Sequence, residues 1–146
     1  MAALPLYTSQ MLKARRMECE SVLLQIAHVL ERRHAATGRY SRGISVDFGS
    51  AKCPAEGAAL YYDVKGSISP TDYTLVATPV GIQTKDQCKV LTLIEDESDH
   101  KMHKMAKHLS HDDPFSQRCW RQTATEEEKE VPPPPILPPV FLPKIE

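Results

Sequence analysis

The stretch from Tyr7 to Gly38, YTSQMLKARRMECESVLLQIAHVLERRHAATG, decides the architecture. Leu12, Cys19, Leu23, Ile26 and Leu30 follow one another at intervals of 7, 4, 3 and 4 residues, a spacing that puts all five on one stripe of an α-helix. No proline interrupts the run after Pro5, and Gly38 is the residue type that most readily takes the left-handed conformation ending a helix. The pattern predicts a helix over 7–37, about 30 residues and roughly 45 Å long. A small domain has trouble covering that length, so the first turns need apolar cover from elsewhere. Off the stripe, Lys13, Arg15, Arg16, Arg32 and Arg33 stand against Glu18, Glu20 and Glu31. Such a mixture is ordinary for the solvated face of a long helix. The sharper alternative is that Lys13, Arg15 and Arg16 neutralise the phosphates of DNA.

After a polar connection over 38–57, three runs read as strands: 58–64, 72–79 and 88–94. Tyr73, Leu75 and Ala77 alternate with Thr74, Val76 and Thr78, and Leu91 and Leu93 with Val90, Thr92 and Ile94. The short segments Gly66 to Pro70 and Gly81 to Asp86 suit antiparallel hairpins. The expected fold is α+β, a long N-terminal helix packed on an antiparallel meander of three to four strands within 58–95, followed by a loop over 96–121. Seven of the twelve prolines lie between Pro132 and Pro143, directly after the charged run Glu126 to Glu130. The folded domain is therefore expected to span 1–121. An acidic and proline-rich tail, 122–146, serves as a polyproline spacer or as a ligand for a partner.

A chain of 146 residues with a formal charge of -1 suits one domain and gives no whole-molecule attraction to nucleic acid or anionic membrane. The longest apolar run, Val22 to Leu30, is broken by Gln25 and His28 and is too short to span a bilayer. No signal peptide is legible at the amino terminus. Cys19, Cys53, Cys88 and Cys119 form no CxxC spacing and leave three disulfide pairings open. Neither a nucleophile with a nearby base, a phosphate-cradling glycine loop nor paired carboxylates in an apolar setting appears, so neither an enzyme nor a cofactor is expected. The densest set of metal-ligating side chains is His100, His103, His108 and His111 with Asp99, Asp112 and Asp113. In a helical segment His100 would share a face with His103 and His108 with His111, while Lys101, Lys104 and Lys107 would repel a cation. A solvated loop is the plainer expectation.

The segment Asp72-Tyr73-Thr74-Leu75-Val76-Ala77-Thr78-Pro79, then Gln83, Asp86 and Cys88, then Leu91-Thr92-Leu93, and last Cys119-Trp120-Arg121 resembles the type IV pilins of the PilE-like minor type. Ala3-Leu4-Pro5-Leu6-Tyr7 looks like the stretch after the membrane half of the pilin helix, and Thr37-Gly38-Arg39-Tyr40 like the family's helix exit. The resemblance covers residues 2–121. It implies a disulfide between Cys88 and Cys119 stapling the carboxy-terminal loop; Cys19 and Cys53 are either a second disulfide or two buried thiols. The family often has glycine where Lys89 follows Cys88, a difference not expected to alter the fold. The family's peptidase motif and apolar half-helix are not in this sequence, which suggests a truncated soluble form or a misplaced start.

The resemblance implies a structural subunit of a bacterial type IV pilus, passing from inner membrane and periplasm to the extracellular filament and serving assembly, adhesion or twitching motility. Its partners would be other pilins and the inner-membrane assembly machinery, with membrane contact only through the missing half-helix. The filament helix face would be the stripe Leu12, Cys19, Leu23, Ile26 and Leu30. A pilus-tip module binding DNA or a surface, through Lys13, Arg15 and Arg16 or the stapled loop, is the main rival. A type II secretion pseudopilin is the third, disfavoured by the Cys88 and Cys119 pair followed by Trp120.

Overall fold

The computed structural model describes residues 3–41, 44–47, 53, 61–99 and 101–120. The helix α1 runs over Ala3–Thr37, 35 residues, beginning four residues ahead of the predicted start. Pro5 falls in the first turn, where its missing N–H breaks no helical bond. Gly38 takes φ +81° and donates its N–H to the His34 carbonyl at 2.7 Å, ending the helix as its sequence suggests. The strands are β1 (Ile44–Asp47), β2 (Tyr62–Ile68), β3 (Tyr73–Pro79), β4 (Leu91–Asp96) and β5 (Lys101–Ala106). A 3-10 helix, Gly81–Lys85, joins β3 to β4, and α2 spans Pro114–Trp120. The described strands form one antiparallel meander in the order β1-β2-β3-β4-β5.

The stripe Leu12, Cys19, Leu23, Ile26 and Leu30 is buried together with Val22 and Ala27. It faces the inner side of the meander, where Tyr62, Val64, Ile68, Tyr73, Leu75, Ala77, Leu91 and Leu93 are buried in turn. Each large aliphatic side chain so buried contributes about 1.5–3 kcal/mol. The stripe expected as the filament helix face is thus covered inside this subunit. A helical period identifies an apolar stripe without saying what covers it, and here the chain's own sheet does.

The element bounds also depart from expectation. Gly66, Ser67 and Ile68 continue β2, paired with Leu75, Thr74 and Tyr73. The turn lies further on, at Ser69–Asp72, where the Asp72 N–H donates to Ser69 Oγ at 2.9 Å and Ser69 Oγ donates to Asp72 Oδ1 at 2.6 Å. Gly66, a turn residue by type, sits instead within the paired strand. Residues 58–60, the start of the first predicted strand, lie outside the described residues, as do the tail 122–146 and His100. β1 arises within the expected connection 38–57, and β5 and α2 within the expected loop 96–121.

Both disulfides are formed. Cys19 on α1 joins Cys53, whose carbonyl accepts the Tyr61 N–H at 2.7 Å just ahead of β2, and Cys88 joins Cys119. Closing loops of 34 and 31 residues' separation, each stabilises the fold by about 3–4 kcal/mol on the chain-entropy view.

Two polar groups of contacts fix α1 on the sheet. At one end Arg16 Nη1 donates to Asp86 Oδ1 at 2.7 Å, with both side chains buried. Beside it Gln83 Nε2 donates to the Leu12 carbonyl and the Tyr62 hydroxyl, both at 2.9 Å. At the other end the Tyr40 and Tyr73 hydroxyls both donate to Glu31 at 3.1 Å. Tyr40 is stacked on His34 with centroids 4.5 Å apart and meets Tyr73 edge-on at 5.0 Å.

Removing one member of a buried ion pair strands the other charge. Asp86→Ala is expected to destabilise the fold by about 3–5 kcal/mol in urea unfolding, whereas Arg16→Met with Asp86→Leu recovers most of that loss. Burial, reinforced at Tyr40 and Tyr73 by Glu31, pushes the hydroxyls of Tyr40, Tyr62 and Tyr73 well above the ordinary tyrosine range. The folded chain then keeps protons that the unfolded chain releases near pH 10, so their stabilisation is complete below about pH 10 and falls above it. Each of the three contributes up to about 1.4 kcal/mol per pH unit of that fall. Urea unfolding at rising pH measures the slope, and Tyr73→Phe is expected to flatten it.

Candidate nucleic-acid interface

Of the three helix cations expected to meet DNA, only Lys13 is exposed. The Arg15 guanidinium lies 3.8 Å above the centre of the Tyr61 ring and is half-buried. Arg16 points inward to Asp86 and is not available to a phosphate. Three neighbouring cations thus take three separate environments, because successive helix positions turn by about 100°.

A second set of cations comes together around Cys88–Cys119. Lys89 follows Cys88, and Arg118 precedes Cys119. The Lys107 N–H donates to the Val90 carbonyl at 2.9 Å, which lays the turn after β5 alongside Lys89. Lys89, Lys107 and His108 adopt φ of +52°, +53° and +59°, a region where a non-glycine residue is strained by about 1–2 kcal/mol. Position 89 is thus one that glycine suits, and lysine adopts the same conformation. The Lys89 Nζ donates to the Thr84 carbonyl at 2.6 Å, next to Lys85. Asp86 lies between Lys85 and Lys89 in sequence, yet its charge is turned inward to Arg16.

The short helix α2 closes this corner. Pro114 occupies its first position, and the Asp113 carboxylate accepts the Phe115 N–H at 2.8 Å as a cap. Ser116 Oγ accepts the Ala106 N–H at 3.1 Å, and the Trp120 indole donates to the Met105 carbonyl at 2.8 Å. α2 therefore covers backbone groups of the edge strand β5. The half-buried Phe115 ring has Lys107 Nζ at 5.9 Å and the Arg118 guanidinium at 6.0 Å from its centre. Lys85, Lys89, Lys107 and Arg118 are exposed. Such a group has the chemistry that suits anions: lysines act as point charges, and arginine can engage two oxygens of one phosphate.

The predicted histidine set is only partly assembled. Lys101–Ala106 form the strand β5 and His108 and His111 lie in turns, so His108 and His111 do not pair on a helix, and the expected partner of His103, His100, lies outside the described residues. Instead His103 meets His111, with ring centroids 3.9 Å apart, while His108 is exposed in the turn after β5. His103 Nε2 lies 2.8 Å from Asp99 Oδ2, and His111 Nε2 lies 3.1 Å from Asp112 Oδ1. Sequence reasoning missed Lys107, Phe115 and Arg118 as a group. Asp113-Pro114 was the available signal, since an acidic cap followed by proline starts a helix.

Comparison with known proteins agrees with the architecture. A family model described as "Type IV minor pilin ComP, DNA uptake sequence receptor" matches residues 5–92. No curated protein and no solved structure matches the chain. The matched segment starts in the first turn of α1 and ends inside β4, so it takes in most of the helix-on-meander packing and stops short of α2. Because it spans more than half of the 146 residues, the chain belongs to this family of type IV minor pilins.

Proposed function

We propose that this minor pilin is a DNA-uptake receptor that holds duplex DNA by its phosphates on the corner closed by Cys88–Cys119. The observation that carries the reading is the convergence of the exposed Lys89, Lys107 and Arg118 on that staple while Asp86 is spent on Arg16 inside the protein. The family's description as a DNA uptake sequence receptor supports it independently. With a net charge of -1 on the whole chain, attraction to DNA has to be local. Residues 83–86 lie against the Leu12–Arg16 turn through the Gln83 and Asp86 contacts. The corner therefore continues toward Lys13 and the ring-stacked Arg15. In the pilus the chain is held by α1. Its buried run starts at Leu12, and Tyr7, 69% exposed ahead of it, belongs to the surface that neighbouring pilins cover.

Binding of a short duplex is expected to weaken with salt, with a log–log slope of about -0.9 per phosphate contact. Lys89→Ala, Lys107→Ala and Arg118→Ala should each reduce that slope by about 1. They should weaken binding to all sequences equally, because phosphate contacts fix position and carry no sequence information. Cys88→Ser with Cys119→Ser is expected to lower affinity as well, by releasing the corner. Fluorescence anisotropy across a salt series measures all of these. No binding at low salt would overturn the proposal, as would a slope lost in Lys13→Ala and Arg15→Ala but unchanged in the three corner variants.

A further inference from the structure

The hairpin between β4 and β5 carries a second cluster, separate from the basic corner. Asp96 ends β4, and its Oδ1 accepts the Ser98 N–H at 2.9 Å. Asp99 Oδ1 accepts the Lys101 N–H at 3.0 Å, which leaves Oδ2 directed at His103 Nε2, 2.8 Å away. The ligand atoms of Asp96, Asp99 and His103 all lie within 4.8 Å of one another. His111, brought over from the turn before α2, sets its ring edge-on against His103 at 3.9 Å.

We propose that Asp96, Asp99 and His103 bind a divalent first-row transition cation such as zinc, with water in the remaining position. Two carboxylates and one imidazole form a borderline oxygen and nitrogen donor set that suits such an ion. Donor atoms about 2.0–2.2 Å from one ion stand about 3.3–3.6 Å apart at a tetrahedral angle. The His103–Asp99 pair, at 2.8 Å, must therefore open by roughly 0.5–0.8 Å and the wider-set donors, within 4.8 Å, must close, movements within reach of an exposed hairpin turn. The lysines that seemed in sequence to oppose a cation are mostly directed elsewhere. Side chains alternate along a strand, and Lys104, paired with the inward-facing Leu93, lies on the opposite face from His103. Lys107 lies beyond the far end of β5, beside Phe115. Lys101 remains on the His103 side, against the two carboxylates. His103 is thereby distinguished from His108, which shares its residue type but sits exposed in the turn after β5. The site stands on contacts that the DNA reading does not use.

Calorimetric titration of the untagged chain with zinc chloride, alongside amide spectra of the same samples, tests this. One equivalent is expected to bind, with shifts confined to residues around 96–111. Asp99→Asn, an exposed change that leaves the core intact, should weaken binding by about 10-fold or more, as should His103→Ala. His108→Ala should leave it unchanged. Cobalt substituted for zinc should give the visible absorption of a four-coordinate site, lost in Asp99→Asn. Absence of one-equivalent binding overturns the site, as does binding that survives Asp99→Asn or that His108→Ala removes.

Discussion

One stripe of α1, from Leu12 to Leu30, has to be taken out of water along nearly the whole width of the meander, and the other contacts are arranged around that burial. The hydrophobic term is large but has no direction, so it sets that the helix lies on the sheet without fixing its position along it. Polar contacts supply the position. Gln83 reaches the Leu12 carbonyl and Arg16 reaches Asp86 at one end, while Glu31 receives Tyr40 and Tyr73 at the other. Cys19–Cys53 lies between these two groups along α1 and ties the helix to the segment just ahead of β2. Sliding the helix by one turn would break the polar contacts together and leave buried charge unpaired, which is far less favourable than the loss of a surface pair.

The same ion pair shapes the electrostatics of the surface. Drawing Asp86 into the protein leaves Lys85 and Lys89 without the carboxylate that separates them in sequence. The disulfide and α2 then bring Lys107 and Arg118 to the same place. A basic corner on a nearly neutral chain is thus a product of burial and crosslinking rather than of composition. A disulfide, a capped helix and side-chain bonds to the edge strand all hold this corner in place.

The β4–β5 hairpin solves a different problem. β5 is an edge strand, rich in charge and poor in apolar alternation, and it pairs fully with β4. Lys104 on its inner face and α2 laid along its backbone both discourage pairing with another chain. Those features made the strand hard to recognise, since its sequence, KMHKMA, carries no strand periodicity.

The sequence by itself determined the long helix and its end at Gly38, the strands around Leu75 and Leu93, the α+β class and, through Asp72 to Pro79 and Cys119-Trp120, the pilin resemblance. These are local patterns, legible because side-chain period and glycine conformation depend on a few neighbouring residues. Tertiary structure decided the rest. The cysteine pairing, the inward turn of Arg16 beside the outward Lys13, the meeting of His103 with His111 in place of the helical pairs, and the gathering of Lys89, Lys107 and Arg118 all join residues distant in the chain. Arg16 and Asp86 are 70 positions apart, and no local pattern around either one names the other. Which side of a helix or hairpin carries function is set by what the opposite side must bury, and that becomes defined only when the distant partner is in place.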